Sequence, residues 1–343
     1  MKTGRFIRQG AITFALLFTA FQLCAESMSP LQIFQVQTNA KSIVIADPDL
    51  PANSPQKKVL DFRFFKQVAK DRQRGDDAVF SAASTFLSSW GSGEDDFQPV
   101  NKVLETNRPP YLAKLIGGHY LIDLAWKARG SDYANKVDAS QWTQFAEKLK
   151  KAEAELERAW ELNPKQPLIA EEMMTLELGQ GKGRDRLELW FQRAMQLNPN
   201  DFRACCQKLY YLEPKWYGSA QAEIAFGREC VASTNWGGEV PLVLVEAHRA
   251  VVNYLPDEKQ NDYWSSPTVW KDLKSAYSKY LKTHPKDLLQ RSNYAIRAYM
   301  SHDWDVLNEQ LLLLGPDNYR FLGDEDKIFD IVGAAKRHAA DSK

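Results

Sequence analysis

Two stretches of the chain lie thirty-five residues apart and share a pattern. Arg158-Ala-Trp-Glu-Leu-Asn-Pro164 is followed by Arg193-Ala-Met-Gln-Leu-Asn-Pro199. In both, proline ends a helix, because it disfavours the helical conformation of the residue before it. Counting back from each proline gives Ala152, Leu156 and Ala159, then Leu187, Phe191 and Ala194. A third set, Leu273, Tyr277 and Tyr280, precedes Pro285. These spacings put each trio on one helical face. The large residue packs into a neighbouring helix, and the small one lets that helix come close. A period of this size means helical units that stack, since no single unit can bury its own apolar face.

The rest of the sequence reads as helix as well. Ser54 followed by Pro55 is an N-cap with proline in the first turn. Leu60, Phe64, Phe65 and Val68 follow at helical spacing, and Gly75 predicts the end. Asp76 to about Trp90 forms the next helix, and Gly91–Pro99 a polar loop. Pro110 opens a helix ending at Gly130, and Ser140 caps one running to Leu162. Further helices are expected near 166–178, 185–197, 201–212, 219–232, 240–255, 266–284, 287–300, 303–314 and 325–340. No convincing strand pair appears, so the fold class is all-α.

The repeat resembles the second helix of a tetratricopeptide repeat (TPR), whose period is about 34 residues. The stretches 121–137, 142–162, 212–230, 269–281 and 293–315 are also similar, in their order, to an exported bacterial family of TPR-like helical proteins of unknown function. That resemblance covers residues 60–320 and implies a TPR-like α-α superhelix, an irregular solenoid, without a settled activity. In "PKWYGS", Tyr217 stands where the family's Trp-Gly-Gly-Ser form has its first glycine.

The N-terminus reads as a targeting signal. Lys2, Arg5 and Arg8 precede Ala11–Ala25, fifteen residues without a charge. This is short for a bilayer span, which needs about 20 residues, and it has the size of a secretory core. Cleavage is expected after Ala25, and an uncleaved inner-membrane anchor is the alternative. Cys24 follows the large Leu23, which argues against lipid attachment. The expected organisation is a signal peptide at 1–25, an extended arm at 26–54 and an N-terminal helical part at 55–135. TPR-like repeats at 136–232 and a C-terminal helical part with a further degenerate repeat at 233–343 complete it. The mature protein is expected in the periplasm or secreted, with no membrane span after cleavage.

Charge excludes one class of partner. The 44 basic and 44 acidic residues balance, and losing the signal leaves 41 against 44. No polybasic run marks a nucleic-acid surface, so no nucleic acid is expected. Three cysteines remain in an oxidising compartment, Cys205, Cys206 and Cys230. One of the adjacent pair can bridge Cys230, with Cys206 the candidate, and buried unbridged cysteines are the alternative.

Catalytic patterns are missing. None of the five histidines has metal-ligand spacing, and no CxxC or HExxH occurs. "GQGKGRD" lacks the preceding strand and the Ser or Thr that a phosphate loop needs. "GSGEDD" and "GDEDKIFD" lack calcium-loop order and read as loops and helix starts. Gly117–Gly118, inside an apolar helix, implies close helix packing. No enzyme activity, metal or cofactor is expected. A stacked-helix protein binds on the face lined by its first helices. That face would draw on Glu171, Glu172 and Thr175, on Arg203, Gln207 and Tyr210, and on Asn293 and Arg297, with Trp216 and Tyr217 just beyond. Glu172, Arg203, Gln207, Tyr210, Trp216 and Asn293 are the expected contacts for a protein or peptide of the cell envelope. A core-capping role for Tyr210 and Trp216 competes with that reading. The alternative function is an envelope enzyme or small-ligand protein, with a pocket between the repeats and the aromatic insertion "TNWGG" and "NDYWSSPTVW".

Overall fold

The computed structural model describes residues 54–341. The expected signal peptide and nearly all of the extended arm lie outside the described residues. Among the described residues there is no strand, and no helix is long and apolar enough to cross a membrane. The chain forms two compact units, one ending at Leu197 and one beginning at Asn198.

The first unit contains α1 (Pro55–Lys70), α2 (Asp76–Trp90), α3 (Gln98–Asn107), α4 (Pro110–Arg129), α5 (Ala139–Leu162), α6 (Pro167–Gln180) and α7 (Arg184–Leu197). Ser54 caps α1, its hydroxyl accepting from the Lys57 amide at 3.2 Å. The helix stops at Lys70 rather than at Gly75, and Arg108 collects its end. The Arg108 guanidinium donates to the carbonyls of Val68, Ala69, Asp71 and Arg74. Helix α5 is capped by Asp138, not by Ser140. Asp138 and Gln141 form a reciprocal capping box, at 2.9 and 3.0 Å. Helix α4 is buried on nearly every side and is the centre of this unit. A Cβ on Gly118 would lie 2.6 Å from Leu156 Cγ, and one on Gly117 would lie 3.1 Å from the Phe97 ring. The two glycines therefore permit the close approach that their position in an apolar helix implied.

The second unit contains α8 (Phe202–Tyr211), α9 (Ala220–Ala232), α10 (Val243–Val252), α11 (Asp257–Ser265), α12 (Pro267–Thr283), α13 (Leu288–Met300), α14 (Trp304–Leu314) and α15 (Glu325–Asp341). Its core gathers Leu244, Leu273, Tyr277, Ala295, Leu307 and Ile331. Gly227 of α9 lies against Leu244 of α10, where a Cβ would come within 2.8 Å of the Leu244 Cα. All three trios that precede the prolines are buried, each residue at 3% exposure or less. The repeated spacing therefore marks inward helical faces in both units. Two helices were not expected. Over Gln98–Asn107 only Val100 and Leu104 are buried, and over Asp257–Ser265 only Trp264 is.

Candidate functional site

The turn between α8 and α9, Leu212 to Ser219, brings polar and aromatic groups together in the second unit. Its backbone is tightly folded. The Trp216 amide donates to the Glu213 carbonyl at 2.9 Å, and the Tyr217 amide to the Tyr211 carbonyl at 3.2 Å. A Cβ at position 218 would overlap the Leu212 carbonyl, so the turn requires Gly218. The tight glycine is thus present in "PKWYGS" although Tyr217 replaces the first glycine of the family form. Ser219 then caps α9, its hydroxyl accepting from the Ala222 amide at 3.2 Å.

Within this turn the Lys215 ammonium lies 4.3 Å from the centre of the Tyr210 ring and 2.8 Å from Glu213 Oε2. The Tyr254 hydroxyl, just past α10, donates to the same Glu213 oxygen at 2.7 Å. Burial and the Glu213 carboxylate raise the Tyr254 phenol well above its ordinary range. Tyr210 and Trp216 meet edge to face at 5.9 Å. Tyr254 is 47% exposed, so the cluster has an outer rim.

Beneath that rim lies Glu223, in the first turn of α9. It is fully buried, and neither carboxylate oxygen has a hydrogen-bond partner among the described residues. Burial, helped by the Glu213 charge and opposed by Lys215, raises its carboxyl to about 8. Next to it runs a chain of bonds from Tyr263 to Arg228. His248 Nδ1 is 2.8 Å from the Tyr263 hydroxyl, and its Nε2 is 3.2 Å from Asp272 Oδ2. Arg228 holds that carboxylate at 2.8 Å. Burial lowers the His248 imidazole, with Asp272 partly opposing, so neutral histidine donates from Nε2 and accepts from tyrosine at Nδ1. Burial raises Tyr263 to about 12, aided by Asp272 and Glu223.

Of the residues expected at a binding face, Tyr210 and Trp216 are brought together, both half-buried. Arg203 and Gln207 are half-buried on α8. Asn293 is half-buried on α13, its amide donating to Gln290 Oε1 at 3.3 Å. Glu172 differs from expectation. It is buried in the first unit and bonded to His119 Nδ1 at 2.9 Å, so its carboxylate serves the interior. Glu171 is buried too, and the Arg297 guanidinium stacks 3.7 Å over Trp264. Sequence reasoning missed Lys215, Glu223, Tyr254 and Tyr263. The only signal for Glu223 was its place four residues after the capping Ser219, beside the quoted aromatic turn.

The structure shows no bridge between Cys206 and Cys230. Cys205, Cys206 and Cys230 are thiols, and it is Cys205, buried like Cys230, whose thiol meets that of Cys230 and is pushed up by that contact and by burial. Helix α8 turns Cys205 inward and Cys206 to a half-buried position. Titration of the denatured, unreduced mature chain is expected to find three thiols. A single thiol would mean that a bridge forms in the folded protein.

Among the described residues no group of three or more His, Cys, Asp or Glu could hold a metal ion. A groove of about 620 Å³ lies in the first unit, between Phe97, Lys114, Gly117 and Glu155. It is not the pocket expected beside the aromatic insertion, which belongs to the second unit. Comparison with known protein-family models gives no match, and a search of curated proteins finds no match either.

Proposed function

We propose that the protein is an exported, non-enzymatic, TPR-like superhelical module of the bacterial cell envelope that binds a protein or peptide partner. The observation that carries this reading is the rim at the α8–α9 turn. Lys215 sits there on a turn braced by Gly218 and by its own hydrogen bonds, with Tyr210 at the end of α8 and Tyr254 just past α10 against it. Rigid aromatic side chains with a polar handle are the residues that most often anchor interfaces. Buried helical faces at a repeat period, and a signal-like N-terminus, support the rest of the reading. The experiment is capture of envelope proteins by the immobilised mature chain beside a Tyr210→Ala variant. Removing an aromatic anchor is expected to weaken capture about 30-fold, from about 2 kcal/mol of lost contact. A partner held equally by a folded variant would move the binding face elsewhere.

A second reading, an envelope enzyme or small-ligand protein, is favoured by the Tyr263–His248–Asp272 chain beside Glu223. Tyr263 belongs to the aromatic insertion on which that reading draws. Turnover lost on His248→Gln in a folded variant would favour this second reading over the first.

A further inference from the structure

We infer that Arg249 and Arg297 form a receptor for a carboxylate group, with the buried Tyr277 hydroxyl as a third donor. The inference goes beyond the binding rim and does not depend on it. Helices α10, α12 and α13 supply one side chain each. Arg249 is paired, its guanidinium donating to Glu246 Oε1 at 2.8 Å. Arg297 has no such partner. Its guanidinium stacks 3.7 Å over Trp264, and the acceptor it finds among the described residues is the Met300 sulfur, at 3.4 Å. A thioether is a weak acceptor for a full positive charge. A desolvated guanidinium without an anion is costly to keep. Burial, with the like charge of Arg249 adding to it, lowers Arg297 from its ordinary value.

Tyr277 supplies the second observation. It is 0% exposed, and its hydroxyl has no hydrogen-bond partner among the described residues. Such a group calls for an explanation. Its ring stacks on Tyr294 at 5.2 Å, and Arg297 stands one helical turn beyond Tyr294 on α13. Glu246 and Arg249 stand one turn apart on α10, which packs on α12. Burial raises the Tyr277 phenol, and the Arg249 and Arg297 charges oppose that rise. Charge then selects the ligand. Arg249, Arg297 and Glu246 leave one positive charge in surplus. Burial keeps neighbouring His248 neutral, and Arg228 and Asp272 hold each other. A carboxylate cancels the surplus, whereas a phosphate dianion would exceed it beside Glu246. A guanidinium oriented by stacking also presents the planar edge that a carboxylate matches. The Arg249 side chain is 38% exposed and Arg297 is half-buried, so a ligand reaches both from solvent.

The test is calorimetric titration of the mature full chain at pH 7. The probes are sodium butanoate, neutral butanamide, the peptide acetyl-Gly-Leu as free acid and as amide, and inorganic phosphate. Both acids are expected to bind, and both amides are not. Arg297→Gln is expected to weaken butanoate binding about tenfold or more, through lost hydrogen bonds to a charged group. Tyr277→Phe is expected to weaken it about fivefold and to leave the unfolding midpoint of the free protein unchanged or higher, because the hydroxyl removed is unbonded there. Tighter binding of butanoate identifies a small free acid as the source, and tighter binding of acetyl-Gly-Leu identifies a peptide C-terminus. Failure of both acids to bind at millimolar concentration would overturn the proposal. So would phosphate binding more tightly than either acid, or folded Arg297→Gln and Tyr277→Phe both keeping the parent's affinity. Those results would leave the rim reading intact, since its partner is tested separately by capture with Tyr210→Ala.

Discussion

Replacing Glu223 by glutamine is expected to stabilise the protein in mild alkali and to leave it nearly unchanged near pH 5. The side chain is fully buried without a hydrogen-bond partner, and its carboxyl is raised to about 8 from an ordinary value of 4.5. In the unfolded chain it ionises in water at its ordinary value. The folded state therefore holds a proton that the unfolded state has released, across the window between those two values. Its contribution is fully present below 4.5 and is lost as the pH rises through 8. At pH 8.5 the loss is on the order of 4 kcal/mol. Urea unfolding of parent and variant at pH 5 and pH 8.5 reads this directly. Two other acids, buried Glu177 and half-buried Glu246, are raised as well, and comparison of the two proteins cancels them. Equal midpoints at pH 8.5 would show that Glu223 has a partner or access to solvent.

Arg108→Ala is expected to have the second large effect, in the first unit. The side chain is 7% exposed, and its guanidinium serves the Val68 and Ala69 carbonyls in the last turn of α1 and the Asp71 and Arg74 carbonyls just beyond it. Carbonyls of the last helical turn have no partner within the helix. A positive charge at a helix C-terminus also favours the dipole. Hydrogen bonds to a charged group contribute about 1.5–3 kcal/mol each in measured cases, and buried acceptors left alone cost more. Bonds that share one side chain do not add, so the expected loss is about 3–5 kcal/mol. It should appear as a lower urea midpoint with an unchanged slope. A loss below about 1 kcal/mol would mean that solvent replaces the guanidinium.

The helical faces were legible because burial of apolar residues follows a local period. Ala152, Leu156 and Ala159 sit at spacings that only a helix brings to one side, and all three are fully buried. Helix α11 was not legible, because eight of its nine residues remain outside the core and leave no periodic stripe. The site was less legible still. His119 and Glu172 are fifty-three residues apart and meet only through tertiary packing, so Glu172 read as a surface acid and is an interior one. Glu223 follows a helix cap, where an acid favours the dipole, and nothing local announces that tertiary packing will bury it. Tyr210 and Trp216, both expected at the binding face, meet edge to face, because the short turn between them leaves little freedom. Which of the adjacent cysteines meets Cys230 was not legible. Adjacent positions on a helix point about 100° apart, so which thiol faces α9 depends on the packing of α8.

The binding claim is tested most directly by photo-cross-linking in intact cells. A photoreactive phenylalanine analogue would replace Tyr210 or Tyr254 in the full chain, with Leu312 as the comparison position. Leu312 is 82% exposed on α14 and has no part in the proposed site. The account predicts one and the same envelope protein cross-linked from positions 210 and 254 and not from 312. No adduct at 210, or the same adducts at all three positions, would contradict it.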